Sequence, residues 1–411
     1  MTKSVLMFAL VFAAGGCSAP APAAPSAAPA VAPAAVSDAV VRSSRAFGFD
    51  LFGQLAAAGP KDNIFISPTS VAMCLTMAWN GASGTTQTAM AAALHLTGQD
   101  IQQVNGSNAA LLKELAAADP KVKLLVANSL WARKGIAFQK PFLTANQQYF
   151  NAQVTPLDFS DPSAPGTINA WVSASTNGLI KEIVSQIDQS DILFLINAVY
   201  FKGNWTEQFD KALTHEQDFF LPGGSASRRQ MMARESKFSY YAANGFQAVN
   251  LPYGSGRLSM YLFVPDAKDG LPGFLKQLTA DNWDKWLAGF GSKSGNVVLP
   301  RFKIEYEATL NQALSSLGMG EALQPGKADF SKMVKSPFPV FISEVKHKTF
   351  VEVNEEGTEA AAVTSTRVAM TAMPRPGERF SIVADHPFFF AIADSKTGAI
   401  LFMGAISDPK Q

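Results

Sequence analysis

Ser343 and Lys346 stand three positions apart in SEVK, and Lys396 to Gly398 read KTG. Such a pair of motifs serves acyl transfer, where a lysine assists a nucleophilic serine that opens a helix. Here FISEVKHKTFVEV alternates like a strand, and only about 50 residues separate the two motifs, too few for the helical part such a site needs. A serine-hydrolase site is therefore set aside. No G-x-S-x-G elbow, Gly-rich phosphate loop or close carboxylate pair occurs. His95, His215, His347 and His386 are scattered without HExxH spacing, so neither a metal nor a cofactor is expected and each imidazole is assigned a structural role. Cys74, inside VAMCLTMAW, is expected to be buried on a helix rather than reactive.

The remaining candidate is a substrate rather than a catalyst. EEGTEAAAVTSTRVAM, residues 355–370, follows the strand-like TFVEV and places two acids and a glycine before small residues. With a two-residue period, Thr358, Ala360, Ala362, Thr364, Thr366, Val368 and Met370 share one face. The other face carries every charge, including Glu359 and Arg367. One face is thus fit for burial in a sheet, yet the alanines give the segment poor intrinsic strand propensity. It reads as a strand held in reserve, although composition alone favours an ordinary Ala/Thr-rich surface loop.

These residues need a scaffold. Val41, Phe47, Leu51, Phe52 and Leu55 predict a helix over 38–58, and SPTSVAMCLTMAWNGA predicts a second with Ser67 as N-cap and Pro68 in its first turn. GTINAWVSASTNGLIKEIV predicts a third, with Ile168, Trp171, Val172, Leu179, Ile180 and Ile183 near one face. From residue 191 the texture becomes strand-like, in ILFLINAVYF, AVNLPY, LSMYLFVP, NVVLPRFKIEY and TFVEVN. FFFAIADSKTGAILFMGAI adds two apolar runs joined by a hairpin turn at DSKTG. Helices followed by many strands imply an α+β architecture around a mostly antiparallel sheet system.

The chain of 411 residues is 47% hydrophobic and 16% charged, with a net charge of +1, which fits a large folded core and argues against a nucleic-acid partner. Beyond residue 40 no linker or repeat divides it, giving one domain over 38–411. The N-terminus differs: residues 1–16, a basic start and an apolar stretch, read as an export signal. Ala14, Gly15 and Gly16 before Cys17 resemble a bacterial lipoprotein cleavage box, in which Cys17 is lipidated; simple secretion is the alternative. Residues 17–37 then form an Ala/Pro-rich spacer from the anchoring cysteine. The expected location is outside the cytoplasm, as an outer-membrane lipoprotein, periplasmic, at the cell surface or secreted, with no membrane contact except the lipid at Cys17.

HKTFVEVNEEGTEAAAVTS resembles the hinge region of the serpins, and further serpin-like motifs occur in order from about residue 42 to 408. They include NIFISPTSVAMCLTMAWNGASGTT, INAWVSASTNGLI, LINAVYFKGNW, VNLPY, LPRFKIEYEATLNQALSSLGM, FSKM and ADHPFFFAI. The resemblance implies a serpin fold of three β-sheets and about nine helices, monomeric, with an exposed reactive-centre loop. It implies inhibition of a serine protease through a covalent acyl complex, not catalysis. Carried over by position, the hinge is Glu355, Glu356, Gly357, Thr358, Glu359, Ala360, Ala361 and Ala362. Ser67, Ser70, Asn197 and His347 correspond to the shutter, and Trp205, Arg301 and Glu355 to the breach. The family pattern puts the reactive bond between Thr371 and Ala372, with Met370 or Met373 as alternatives. Small or medium apolar residues there suit an elastase-like or chymotrypsin-like protease, whereas Arg367 or Arg375 would suit a trypsin-like one. A non-inhibitory binding or structural serpin is the alternative function.

Overall fold

The amphipathic N-terminal segment forms α1 (Asp38–Ala58), and the run after Ser67 forms α2 (Pro68–Trp79), every residue of which is buried. A helix apolar all round belongs inside a protein, and α2 lies among the sheets as the central helix. The computed structural model describes residues 35–59, 61–188, 190–336, 339–358 and 379–410. Cys17 and the leader lie outside them, as do Glu359 to Ala362, Met370, Thr371, Ala372 and Met373. The other described α-helices are α3 (Gly84–Ala93), α4 (Ile101–Ala116), α5 (Lys140–Phe150), α6 (Ala164–Ser175), α7 (Leu271–Leu275), α8 (Ala280–Ala288) and α9 (Asn311–Leu314).

The third expected helix is shorter than its apolar spacing suggests. After α6 the chain turns at Asn177 and Gly178, both with positive φ (55° and 78°), and Gly178 N–H returns to the Ser173 carbonyl at 2.7 Å. This left-handed C-terminal turn ends the helix. Ile180 and Ile183 still join Ile168 and Val172 in one apolar cluster, but from an irregular segment.

Six strands make the first sheet. Their order is β10 (Phe302–Thr309), β11 (Glu344–Val353), β12 (Gly357–Thr358), β4 (Leu193–Asn204), β2 (Val122–Arg133) and β3 (Gln153–Leu157). The strand-like texture read from residue 191 onward misses β2 and β3. In β2 the apolar pattern is broken by Asn128 and Ser129, which are buried because each has a side-chain partner: Asn128 Oδ1 accepts from Asn197 Nδ2 at 2.6 Å, and Ser129 Oγ from Trp131 Nε1 at 2.8 Å.

The second sheet runs β1 (Ile64–Ile66), β15 (Ile400–Ile406), β14 (Phe388–Asp394), β8 (Leu258–Pro265), β7 (Phe246–Pro252), β6 (Ala226–Ala243), β9 (Gly291–Pro300) and β13 (Phe380–Val383). β5 (His215–Phe220) pairs with β6 outside that path. The resemblance implies three sheets. Hydrogen bonding joins two of them, because β6 pairs with β5 over 226–231, with β9 over 231–240 and with β7 over 239–243. The predicted hairpin is present as β14 and β15, both buried throughout. The SEVK serine precedes β11 instead of opening a helix, and KTG lies in the β14–β15 turn, consistent with setting the hydrolase aside.

Aromatic packing fills the space between the second sheet and α7 and α8. Phe263 lies 5.5 Å from Phe274, 5.7 Å from Trp283 and Trp286, and 5.8 Å from Phe246, measured between ring centroids. Removing a fully buried ring leaves a cavity the neighbours fill only in part. Phe263→Ala is therefore expected to cost about 3–5 kcal/mol, seen as a lower urea midpoint at unchanged slope; a shift no larger than that of an exposed alanine substitution would refute this ring as a packing hub.

Candidate functional site

β4 and β11 are parallel neighbours in register from Phe194 opposite Glu344 to Tyr200 opposite Phe350. Beyond that point they part, and β12 occupies the gap. Thr358 pairs antiparallel with Val353 on one side and Gly203 on the other, while Gly357 faces Asn204. The chain reverses between β11 and β12 through a turn held by Asn354, whose Oδ1 accepts the N–H groups of Glu356 (3.0 Å) and Gly357 (3.2 Å). A side chain at Gly357 has no room: a Cβ there would stand 2.1 Å from the Gly203 carbonyl oxygen and 2.6 Å from Asn204 Cα. Glycine is required because another backbone passes this close.

Charge holds the turn in place. The buried Glu355 carboxylate accepts from Arg301 Nε at 2.7 Å and Nη2 at 2.5 Å, and from the Thr214 hydroxyl. Burial alone would raise its pKa; the hydrogen bonds from Arg301 and Thr214 outweigh that and leave it below the ordinary value. Glu356 Oε1 lies 2.6 Å from Lys211 Nζ. The backbone is tied too, since Trp205 N–H donates to the Glu356 carbonyl and Phe209 N–H to the Glu355 carbonyl, both at 2.9 Å. Arg234 supports Phe209 from behind, its guanidinium 4.9 Å from that ring and 4.8 Å from Phe238, with burial pushing its pKa down to about 10. It remains a cation at neutral pH.

Trp205 and Tyr253 form the floor. The rings stack at 4.4 Å with 14° between planes, and Trp205 Nε1 donates to the Asn354 carbonyl at 2.9 Å. The Tyr253 hydroxyl meets the Thr358 hydroxyl at 2.8 Å, both residues being fully buried. Burial pushes the Tyr253 pKa upward, so the phenol stays protonated and available for this bond.

A second polar cluster lies lower on the same strands. His347 on β11 stands opposite Asn197 on β4, and its Nε2 accepts the Ser67 backbone N–H at 3.0 Å. Ser67 is thus at the start of α2 as expected, but its hydroxyl makes no capping bond. Asn197 Nδ2 donates to Ser70 Oγ on α2 and to Asn128 Oδ1 on β2. Burial lowers the His347 pKa to about 3, against a weaker upward pull from the Asn197 backbone. Its imidazole is neutral, as accepting from an amide requires. Cys74, also on α2, is buried with Sγ 4.0 Å from the Ile196 carbonyl of β4, and burial raises its pKa to about 12. The thiol is inert, as expected.

Residues 42–409 match the model of the serpin family, described as serine protease inhibitors. The chain belongs to that family. It is 38% identical to Serpin B6 of Macaca fascicularis, over 90% of this chain and all of that protein. It is 36% identical to human leukocyte elastase inhibitor, over 88% of this chain and 97% of that protein. Among solved structures it superposes on the native state of the thermophilic serpin tengpin with a TM-score of 0.87 and 32% identity, covering 93% of this chain and 97% of the other.

The residues assigned by serpin resemblance do come together in two groups. Glu355, Arg301 and Trp205 converge on the β11–β12 turn, and Ser67, Ser70, Asn197 and His347 lie between α2 and the β4–β11 seam. The sequence reading missed Asn354, Tyr253, Lys211, Thr214 and Arg234 at the first group and Asn128 at the second. Only the turn-forming asparagine carries a local signal, in the VNEEG that follows β11. Among the described residues no cluster of His, Cys, Asp or Glu could hold a metal, and no helix is long and apolar enough to cross a membrane.

A histidine whose folded pKa is depressed contributes stability in full above its unfolded value and loses it as protonation begins. For His347 the window runs from about 6.5 down to about 3. Within it, unfolding free energy is expected to fall by up to about 1.4 kcal/mol per pH unit from this residue. Thermal unfolding midpoints of wild type and His347→Gln, followed from pH 7 to pH 4, should converge as pH falls; parallel curves would contradict a neutral buried imidazole.

Proposed function

We propose that this serpin traps serine endopeptidases as a suicide substrate. The protease cuts the loop between Thr371 and Ala372, with Met370 or Met373 as neighbouring choices, and forms an acyl-enzyme. The freed segment then extends β12 down the seam between β4 and β11. The observation that carries this reading is the parted parallel pair with Gly357 and Thr358 already between its ends. Thr358 is fully buried, as its face of the segment requires.

Continuing the β12 register one residue at a time brings Thr364 between Asn197 and His347, which face each other across the seam. Insertion must therefore separate the second polar cluster as it proceeds. Ala360 and Ala362 would reach the buried face first, small enough to enter before the helix beneath adjusts. Glu359 and Arg367 would face water, so no charge is buried. The fully extended segment from Thr358 to Thr371 spans roughly 45 Å, far enough to drag and deform a bound enzyme.

The apolar residues near the cut favour an elastase-like protease, then a chymotrypsin-like one, and the likeness to leukocyte elastase inhibitor supports that order. Export, followed by lipidation at Cys17 and an Ala/Pro spacer, would display a monomeric inhibitory domain away from a membrane.

Incubation with an elastase-like protease is expected to give a complex that survives denaturing electrophoresis, with mass spectrometry locating the new end at Thr371. Thr358→Arg puts a cation on the buried face and should lower complex yield at least about tenfold while cleavage continues. Clean cleavage of the wild type by elastase-like, chymotrypsin-like and trypsin-like enzymes, with no complex, would support the non-inhibitory reading instead. For the anchor, a diacylglyceryl mass on Cys17 that disappears in Cys17→Ser is the expected result; an unmodified exported N-terminus would favour simple secretion.

A further inference from the structure

A cavity of about 490 Å³ opens where β5, the β8–α7 connection and the ends flanking β14 and β15 meet. Its walls are apolar, with Phe220 and Pro222 from the end of β5, Leu271 and Pro272 from α7, and Pro387 just before β14. The surrounding backbone is firmly tied. Phe220 N–H donates to the Asp385 carbonyl at 2.7 Å, and His386 Nε2 lies 2.7 Å from the Pro265 carbonyl. The cavity is therefore pre-formed, in the size range of small-molecule sites.

Its charge is lopsided. Lys61 and Lys268 line it against a single acid, Asp269. Lys268 Nζ rests 3.0 Å from the Phe220 ring centroid, and among the described residues neither lysine is paired with a carboxylate. An ammonium resting on an aromatic face retains its attraction for an anion. A second cavity of about 260 Å³ shares Leu271, Pro272 and Ser407 with the first and runs along Gly53, Ala56 and Ala57 of α1. Its one acid, Asp62, and one base, Lys276, leave it without net charge. The shared lining makes the two cavities neighbours, and joined they would form an elongated apolar trough with its cationic end at Lys61 and Lys268.

We propose that this trough binds a linear amphiphilic monocarboxylate, such as a medium-chain fatty acid. The carboxylate answers Lys61 and Lys268, and the alkyl chain lies over Leu271 and Pro272 toward α1. Apolar burial supplies the attraction, and the lysines select the sign of the head group.

The test is calorimetric titration of the full folded domain with decanoate, with hexanoate as a shorter acid and decyltrimethylammonium as a tail of opposite charge. Saturable decanoate binding is expected, at least tenfold tighter than the cationic amphiphile. The double variant Lys61→Glu/Lys268→Glu changes two exposed side chains and should lose at least tenfold in decanoate affinity. Ala57→Phe should weaken decanoate and leave hexanoate unchanged, because it blocks only the α1 end. The proposal fails if millimolar decanoate gives no saturable heat with a protein that shows a normal thermal transition. It also fails if either variant binds decanoate like the wild type, or if the cationic amphiphile binds equally well. None of these readouts depends on protease inhibition.

Discussion

The parallel pairing of β4 with β11 is the constraint on which the other features turn. Parallel ladders are slightly less stable per residue than antiparallel ones, and this seam lies between firmer neighbours. β11 is bound to β10 along the whole of Phe302–Thr309, and Lys348 Nζ adds contacts to Glu305 and Glu307 at 2.9 and 3.0 Å. β4 is bound to β2 from Leu193 to Gly203. The sheet is thus two stiff halves meeting along a weaker line. In the proposed mechanism a strand arriving there would make antiparallel ladders on both sides at once, which would give insertion its thermodynamic direction.

Two polar clusters lie along that line. At its open end, Glu355, Glu356 and Asn354 anchor the turn through ion pairs and backbone bonds, so Gly357 and Thr358 sit in a defined register. Lower down, the strands are fastened to α2 by neutral groups: an imidazole accepting an amide, and a carboxamide donating to a hydroxyl. Neutral bonds would suit the opening that the proposed mechanism requires here, because breaking them strands no charge in the interior. The ion pairs of Glu355 and Glu356 lie instead at the turn, where the proposed insertion would part no strands.

Much of this was legible in the sequence, for physical reasons that differ by element. The apolar runs of β4, β8, β14 and β15 announce themselves because both faces are covered. β2 did not, since its buried Asn128 and Ser129 look like loop residues until their partners are known. The end of α6 was hidden because Asn177 and Gly178 act through backbone conformation, which apolar spacing does not encode. Gly357 was conspicuous as a residue type, but its reason, the backbone of Gly203 and Asn204 across a sequence gap, is a tertiary fact. The same holds for Tyr253: nothing near it in sequence indicates that its hydroxyl will meet Thr358.

Cys74 gives the seam a chemical clock. It is the free cysteine among the described residues, buried on α2 with its Sγ facing the Ile196 carbonyl of β4. A thiol so placed is silent to alkylating agents and oxidants while helix and strand stay together. Its rate of modification would then report any opening that exposes it, separation of α2 from β4 included, through a native atom without any added label.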